Sequence, residues 1–168
     1  MARDHTKPFS AAERARIVKT VRGHRQLGPL LKGRARVLMV EPHIAGRGAH
    51  DKALVAIYDY DSDRSLVALV HPTRARVLTV DEAPASFQLS SEERLEAEAL
   101  ARADKRVKTF LSRRPMNPLT RLYFPPHESG HRHAIVILRP SSSARSYAVV
   151  DLTDRRVADV LSLTEFAG

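Results

Sequence analysis

An internal repeat with an offset of eighty residues constrains this chain more than any single motif. Phe9-Ser10-Ala11-Ala12-Glu13-Arg14 recurs as Leu89-Ser90-Ser91-Glu92-Glu93-Arg94, and Leu30-Leu31 falls on Phe110-Leu111. The stretch 65–77 falls on 145–157 in the same register, anchored by Ala68 on Ala148, Val70 on Val150, Thr73 on Thr153 and Arg76 on Arg156. A duplication of this length sets the architecture before any motif is weighed. It divides the chain into residues 1–84 and 85–168. Each copy alone buries a modest share of its surface, so the two are expected to touch. The short linker 82–86 agrees with that expectation.

Each copy opens with a capping box. Ser10 and Ser90 are placed to accept from the amide three residues on, with Glu13 and Glu93 reaching back to the cap. The first helix is expected to run to about Gly23 with Ile17, Val18 and Val21 on one side, followed by a short turn carrying Leu27, Leu30 and Leu31. The second is expected to be longer, from 91 to about 112. Leu95, Ala99, Ala103, Val107 and Phe110 or Leu111 fall at helical spacing, and Glu92, Glu96, Arg102 and Lys105 on the opposite face. Pro115 and Pro118 close it. Strands follow at 35–41, 53–60, 65–71 and 76–81 in the first copy, and at 119–124, 133–139, 146–151 and 156–161 in the second. These are short β-branched or alternating runs punctuated by Pro, Gly, Asp and Ser. The expected fold class is therefore α+β: two tandem units, each a helix packed on an antiparallel sheet of about four strands.

Composition narrows the function. The chain has no cysteine, which removes disulfides, thiolate metal sites and a cysteine nucleophile. No apolar run reaches the roughly 20 residues that span a bilayer. The N-terminus lacks an apolar signal-peptide core, so a cytoplasmic location is expected, with no membrane role. The net charge is +9, but the cations are dispersed: 15 Lys/Arg against 9 Asp/Glu through Pro84, then 13 against 10. Tryptophan is absent. Nucleic-acid grooves cluster their cations and single-strand binders add aromatic platforms, so no specific nucleic-acid partner is expected.

No catalytic constellation is spelled out. His127-Glu128-Ser129-Gly130-His131 has the letters of a zinc-protease helix, but Pro125, Pro126 and Gly130 make it a loop and destroy the one-face geometry. His131 and His133, if extended, share a face and could chelate a metal with His127 reaching over the loop. Against this, Pro42, His43 and Gly46 match Pro126, His127 and Gly130 at an offset of 84, which reads as loop punctuation. The lone His50 of the first copy does not recreate the pair. Ser141, Ser142 and Ser143 lack a nucleophile elbow. Asp59, Asp61 and Asp63 suit a hairpin turn and lack the glycine and terminal glutamate of an EF-hand. No catalytic, cofactor-binding or metal residue is assigned, and no cofactor is expected.

The run from Leu89 through Glu93 and on through Glu96-Ala97-Glu98-Ala99-Leu100-Ala101-Arg102-Ala103-Asp104-Lys105-Arg106-Val107 resembles the helix opening the third domain of copper-dependent amine oxidases. Pro8-Phe9-Ser10-Ala11-Ala12-Glu13 and Val149-Val150-Asp151-Leu152-Thr153 are similar to matching parts of that family's tandem N2 and N3 domains. The resemblance implies cystatin-like rolls. It implies no catalytic residue, because the copper ligands and the quinone-forming tyrosine of that family lie in a separate β-sandwich domain. The only asparagine here, Asn117, is followed by Pro118 rather than by the tyrosine of that motif.

The expected role is thus a non-catalytic accessory or binding module, partnering a separate polypeptide such as an oxidase catalytic subunit, or a second copy as a homodimer. Tyr58, Tyr60, Tyr123 and Phe166 are the candidate apolar anchors of its interface, the alternative being that these aromatics fill the two cores. Two alternatives stand beside it. One is a small cofactor-independent enzyme on a hydrophobic small molecule held between helix and sheet, with His71, His127 or Asp151 in an acid–base role. The other is a metal carrier using His127, His131 and His133.

Overall fold

The computed structural model describes residues 8–43, 52–83, 87–108, 118–126, 130–138 and 146–162. The chain divides into two compact units, Met1–Phe87 and Gln88–Gly168. Together they hold two four-stranded antiparallel sheets and a few helices, an α+β architecture. Among the described residues no helix is long and apolar enough to cross a membrane.

In unit 1, helix α1 (Ala11–Arg22) starts where Ser10 leaves extended geometry. Ser10 Oγ accepts the Glu13 amide at 3.3 Å, and Glu13 Oε2 accepts the Ser10 amide at 2.8 Å. Two otherwise orphaned N–H groups are satisfied at once. Ile17 and Val21, four apart and so on one face, are both buried. After Gly23 the chain makes a second short helix, α2 (Leu27–Lys32). Gly28 lies so close to the end of α1 that an added Cβ would meet the Arg22 carbonyl oxygen at 2.6 Å. Only glycine allows that approach.

Strands β1 (Arg36–Pro42), β2 (Ala53–Asp59), β3 (Arg64–His71) and β4 (Arg76–Ala83) form a sheet in sequence order. Alternate residues Ala53, Val55 and Ile57 of β2 and Leu66, Ala68 and Val70 of β3 join Phe9, Ile17, Val21 and Leu27 in one apolar cluster. The period of two along the strands meets the period of about four along the helix, and this junction is the core of the unit.

Unit 2 repeats the plan with α3 (Ser91–Ala103), α4 (Lys105–Lys108), β5 (Leu119–Tyr123), β6 (His133–Leu138), β7 (Ser146–Asp151) and β8 (Arg156–Ser162). Its sheet order is β5-β6-β7-β8, again antiparallel throughout. The repeat extends to the irregularities. The pairing slips between Leu69 and Val70 in one sheet and between Val149 and Val150 in the other. Ala75 (φ 47°) and Arg155 (φ 55°) adopt the same left-handed conformation in the turns that follow.

Two expectations about the second helix are corrected. It does not run unbroken to 112: it stops at Asp104, which is extended (φ −68°, ψ 132°). Asp104 Oδ1 accepts the Arg106 amide at 2.7 Å, an aspartate acting as cap to the next turn. Residues from 109 to 117, including Phe110, Leu111 and Pro115, lie outside the described residues. The buried stripe is also displaced. It is Glu93, Ala97 and Ala101, whereas Leu95 is 67% exposed and Ala99 and Ala103 face outward. Alanines at 97, 99, 101 and 103 fit either face, so a buried glutamate decided what the alanines could not.

Candidate functional site

The buried glutamate leads to the polar centre of unit 2. Glu93 is fully buried, and Arg132, one residue before β6, is 4% exposed. Arg132 Nε and Glu93 Oε1 are 2.5 Å apart, and Arg132 also donates to Glu93 Oε2 and to the Gln88 carbonyl, each at 3.2 Å. Glu93 Oε2 meanwhile accepts the Ser90 amide at 2.7 Å. A single carboxylate therefore closes the capping box and neutralises a buried guanidinium. Such a pair holds geometry more than it adds net stability, since both ions lose their hydration. The Arg132 backbone is held as well: its amide donates to Thr153 Oγ1 at 3.2 Å, and its carbonyl accepts from the Leu152 amide at 2.9 Å.

With Arg132 turned toward the helix, its neighbours His131 and His133 turn the other way. Their rings stack at an interplanar angle of 22°, with centroids 6.3 Å apart. Both approach one oxygen of Asp151, the last residue of β7 and the cross-strand partner of His133. His131 Nδ1 lies 2.8 Å and His133 Nε2 3.8 Å from Asp151 Oδ2. Asp154, in the β7–β8 turn, brings Oδ2 to 3.9 Å from His131 Nδ1. The other Asp151 oxygen accepts the Asp154 amide at 2.9 Å. Burial would raise the Asp151 pKa. The bond from the Asp154 amide, the bond from His131 and the charges of His131 and His133 outweigh it and hold the carboxyl below the usual carboxylate range.

The equivalent turn of unit 1 carries His71 in place of Asp151 and Arg74 in place of Asp154. There the Arg74 amide donates to His71 Nδ1 at 3.3 Å, and Thr73 Oγ1 lies 3.1 Å from the same nitrogen. The turn is conserved between the units; the carboxylates are not.

The shared-face expectation for His131 and His133 agrees with their placement, while His127 lies outside the described residues, as do His50, Ser141, Ser142, Ser143 and Phe166. Asp59 and Asp63 serve their hairpin. Asp59 accepts from the Asp61 amide at 3.2 Å and from Ser62 Oγ at 2.6 Å, and Asp63 Oδ1 accepts from the Tyr58 hydroxyl at 3.0 Å. Tyr58 and Tyr60, expected as exposed anchors, are buried. They meet edge to face with centroids 4.8 Å apart, and the Arg34 and Arg36 guanidinium groups lie 5.8 and 5.5 Å from the Tyr60 ring centre. Tyr123 is half-buried. Strand pairing sets Pro42 opposite Ala53 and Leu122 opposite Ala134. The sheets thus align Pro42 with Leu122 rather than with Pro126, so the offset of 84 is not the register of the fold.

Arg132 and Asp154 were not singled out by motif, and Glu93 was singled out only as a helix cap. The signal available was alternation: histidines at 131 and 133 on one face oblige Arg132 to the other, toward the helix.

Unit 1 offers a different feature, a half-open groove of about 720 Å³ between α1 and the β3–β4 turn. Arg16, Lys19 and Thr20 line it from the helix, and Pro72, Thr73 and Ala75 from the turn. Comparison with protein-family models finds no match to this chain, and comparison with curated proteins finds none either.

Proposed function

We propose that this chain is a non-catalytic accessory module that docks an acidic segment of a separate polypeptide, each unit serving as a cystatin-like roll like the tandem small domains of copper-dependent amine oxidases. The observation that carries this reading is the groove of unit 1. Two cations, Arg16 and Lys19, and two hydroxyls, Thr20 and Thr73, line a trough open to solvent, with Glu13 as the one acid among the described residues that line it. An extended chain bearing carboxylates finds charge partners there without an enclosed cavity. The overall charge of +9 favours encounter with an acidic partner at long range.

The test is co-expression with the products of adjacent genes, followed by association kinetics with any that co-purifies. The Arg16→Glu/Lys19→Glu double variant should lower the on-rate by about tenfold, and added salt should lower the wild-type rate in the same way. A partner whose binding ignores both changes removes the groove from the reading. A chain that stays solitary and turns over a small molecule by itself replaces the accessory role with the enzyme.

A further inference from the structure

The polar cluster of unit 2 is not explained by docking. His131 Nδ1, Asp151 Oδ2 and Asp154 Oδ2 all lie within 4.8 Å of one another. Asp154 Oδ2 also meets the exposed Arg156 Nε at 3.3 Å, a contact that an entering ion would displace. His133 lies beside them. Its Nδ1 lies 3.0 Å from the His131 carbonyl oxygen, which can only accept, so Nδ1 carries the proton. Its Nε2 faces the buried Asp151 Oδ2 at 3.8 Å. Two imidazoles and two carboxylates thus converge on one small volume, a mixed donor set of the kind that holds a transition ion.

We propose that His131, Asp151 and Asp154 bind a divalent first-row transition ion, with His133 as the adjacent fourth donor. Bonds of about 2.0–2.2 Å place neighbouring ligand atoms roughly 3–3.5 Å apart. The observed separations of 2.8 and 3.9 Å bracket that range. Closing it needs small movements of His131 and Asp154, the two members whose side chains are solvent-accessible, at 30% and 44%. The ion takes the place of the direct contact between His131 Nδ1 and Asp151 Oδ2. The mixed imidazole and carboxylate donors suit zinc-like ions over calcium or magnesium, which prefer oxygen alone.

The backing is rigid. Asp151 Oδ1 is fixed by the Asp154 amide, and the segment between the histidines is held by the Arg132–Glu93 pair. Outer contacts of this kind orient ligands and raise affinity. Unit 1 supplies an internal contrast: its equivalent turn has a histidine and an arginine where unit 2 has Asp151 and Asp154, so it provides no matching acid pair.

Zinc titration of the full chain by calorimetry, with a chelating dye as competitor, tests the site. Wild type and His71→Ala should bind zinc equally, at one ion per chain. His131→Ala and Asp154→Asn, both at solvent-accessible side chains, should each weaken binding by about tenfold or more. Circular dichroism confirms that they fold. Absence of zinc binding by the wild type overturns the proposal, as does binding that survives unchanged in both variants. Calcium competing as well as zinc overturns the transition-ion assignment.

Discussion

The two units begin with the same capping box and use it in opposite ways. Glu13 of unit 1 lies at a half-exposed helix end, above a stripe of Ile17 and Val21 that does the apolar packing. Glu93 of unit 2 is itself part of the buried stripe, over Ala97 and Ala101, and answers Arg132 from the sheet. Unit 1 is held at this helix by apolar volume. Unit 2 trades that volume for a hydrogen-bonded ion pair under a helix lined with small residues. The same local motif can therefore be a surface cap or a core element, depending on what the sheet places beneath it.

The largest expected effect that separates the units is loss of the arginine. Arg132→Met should destabilise unit 2 by about 3–5 kcal/mol, because it leaves Glu93 charged and buried. Glu13→Gln in unit 1 should cost about 1 kcal/mol or less, the scale of a cap. Hydrogen exchange read separately over each unit checks both, since a chain of two units need not unfold in one step. Equal losses would erase the distinction. Restoring an apolar match with Glu93→Leu in the Arg132→Met background should recover much of the loss.

A second effect concerns volume. Ala97→Leu should destabilise unit 2 by about 1–3 kcal/mol through overpacking, as the fully buried alanine has no room for three further carbons. A neutral result would mean that the helix can lift from its sheet without breaking the ion pair.

The acid limb comes next. Asp151 has a folded pKa below its unfolded one, so its contribution is fully present above the unfolded value of about 4. It is lost as pH falls through the folded pKa. The stability advantage of wild type over Asp151→Asn should accordingly shrink on acidification, read by denaturant titration at stepped pH. An advantage that grows as pH falls would reverse the sign assigned to the site. The smallest effect is expected on the outer face of α3, where Leu95→Glu should change stability by no more than about 0.5 kcal/mol.

Much of the fold was legible because its determinants are local. Seven of the eight strands begin or end on the expected residue at one end or both, since alternation and turn residues act over a few positions. The exception is β1, whose expected span of 35–41 sits one residue early against Arg36–Pro42. The boxes at Ser10 and Ser90 form as their letters require. The face of the second helix was not legible. Leu95 was the strongest apolar residue and pulled the stripe toward itself, while the true stripe contains a glutamate whose burial depends on an arginine 39 residues away. The site was legible only in fragments: the histidine pair and Asp151 were named separately, and nothing joined them to each other or to Asp154 in the turn after β7.

By itself, then, the sequence determined a duplicated α+β unit, its caps, its strands and the alternating placement of His131, Arg132 and His133, all set by interactions within a few residues. Tertiary structure decided which charges are buried and which side chains meet. Glu93 stays charged in the core only because β6 delivers Arg132 beneath it. Asp151 and Asp154 become neighbours of His131 only because β6 and β7 pair in one register. Burial and convergence depend on residues distant in sequence, and only the folded chain brings those together.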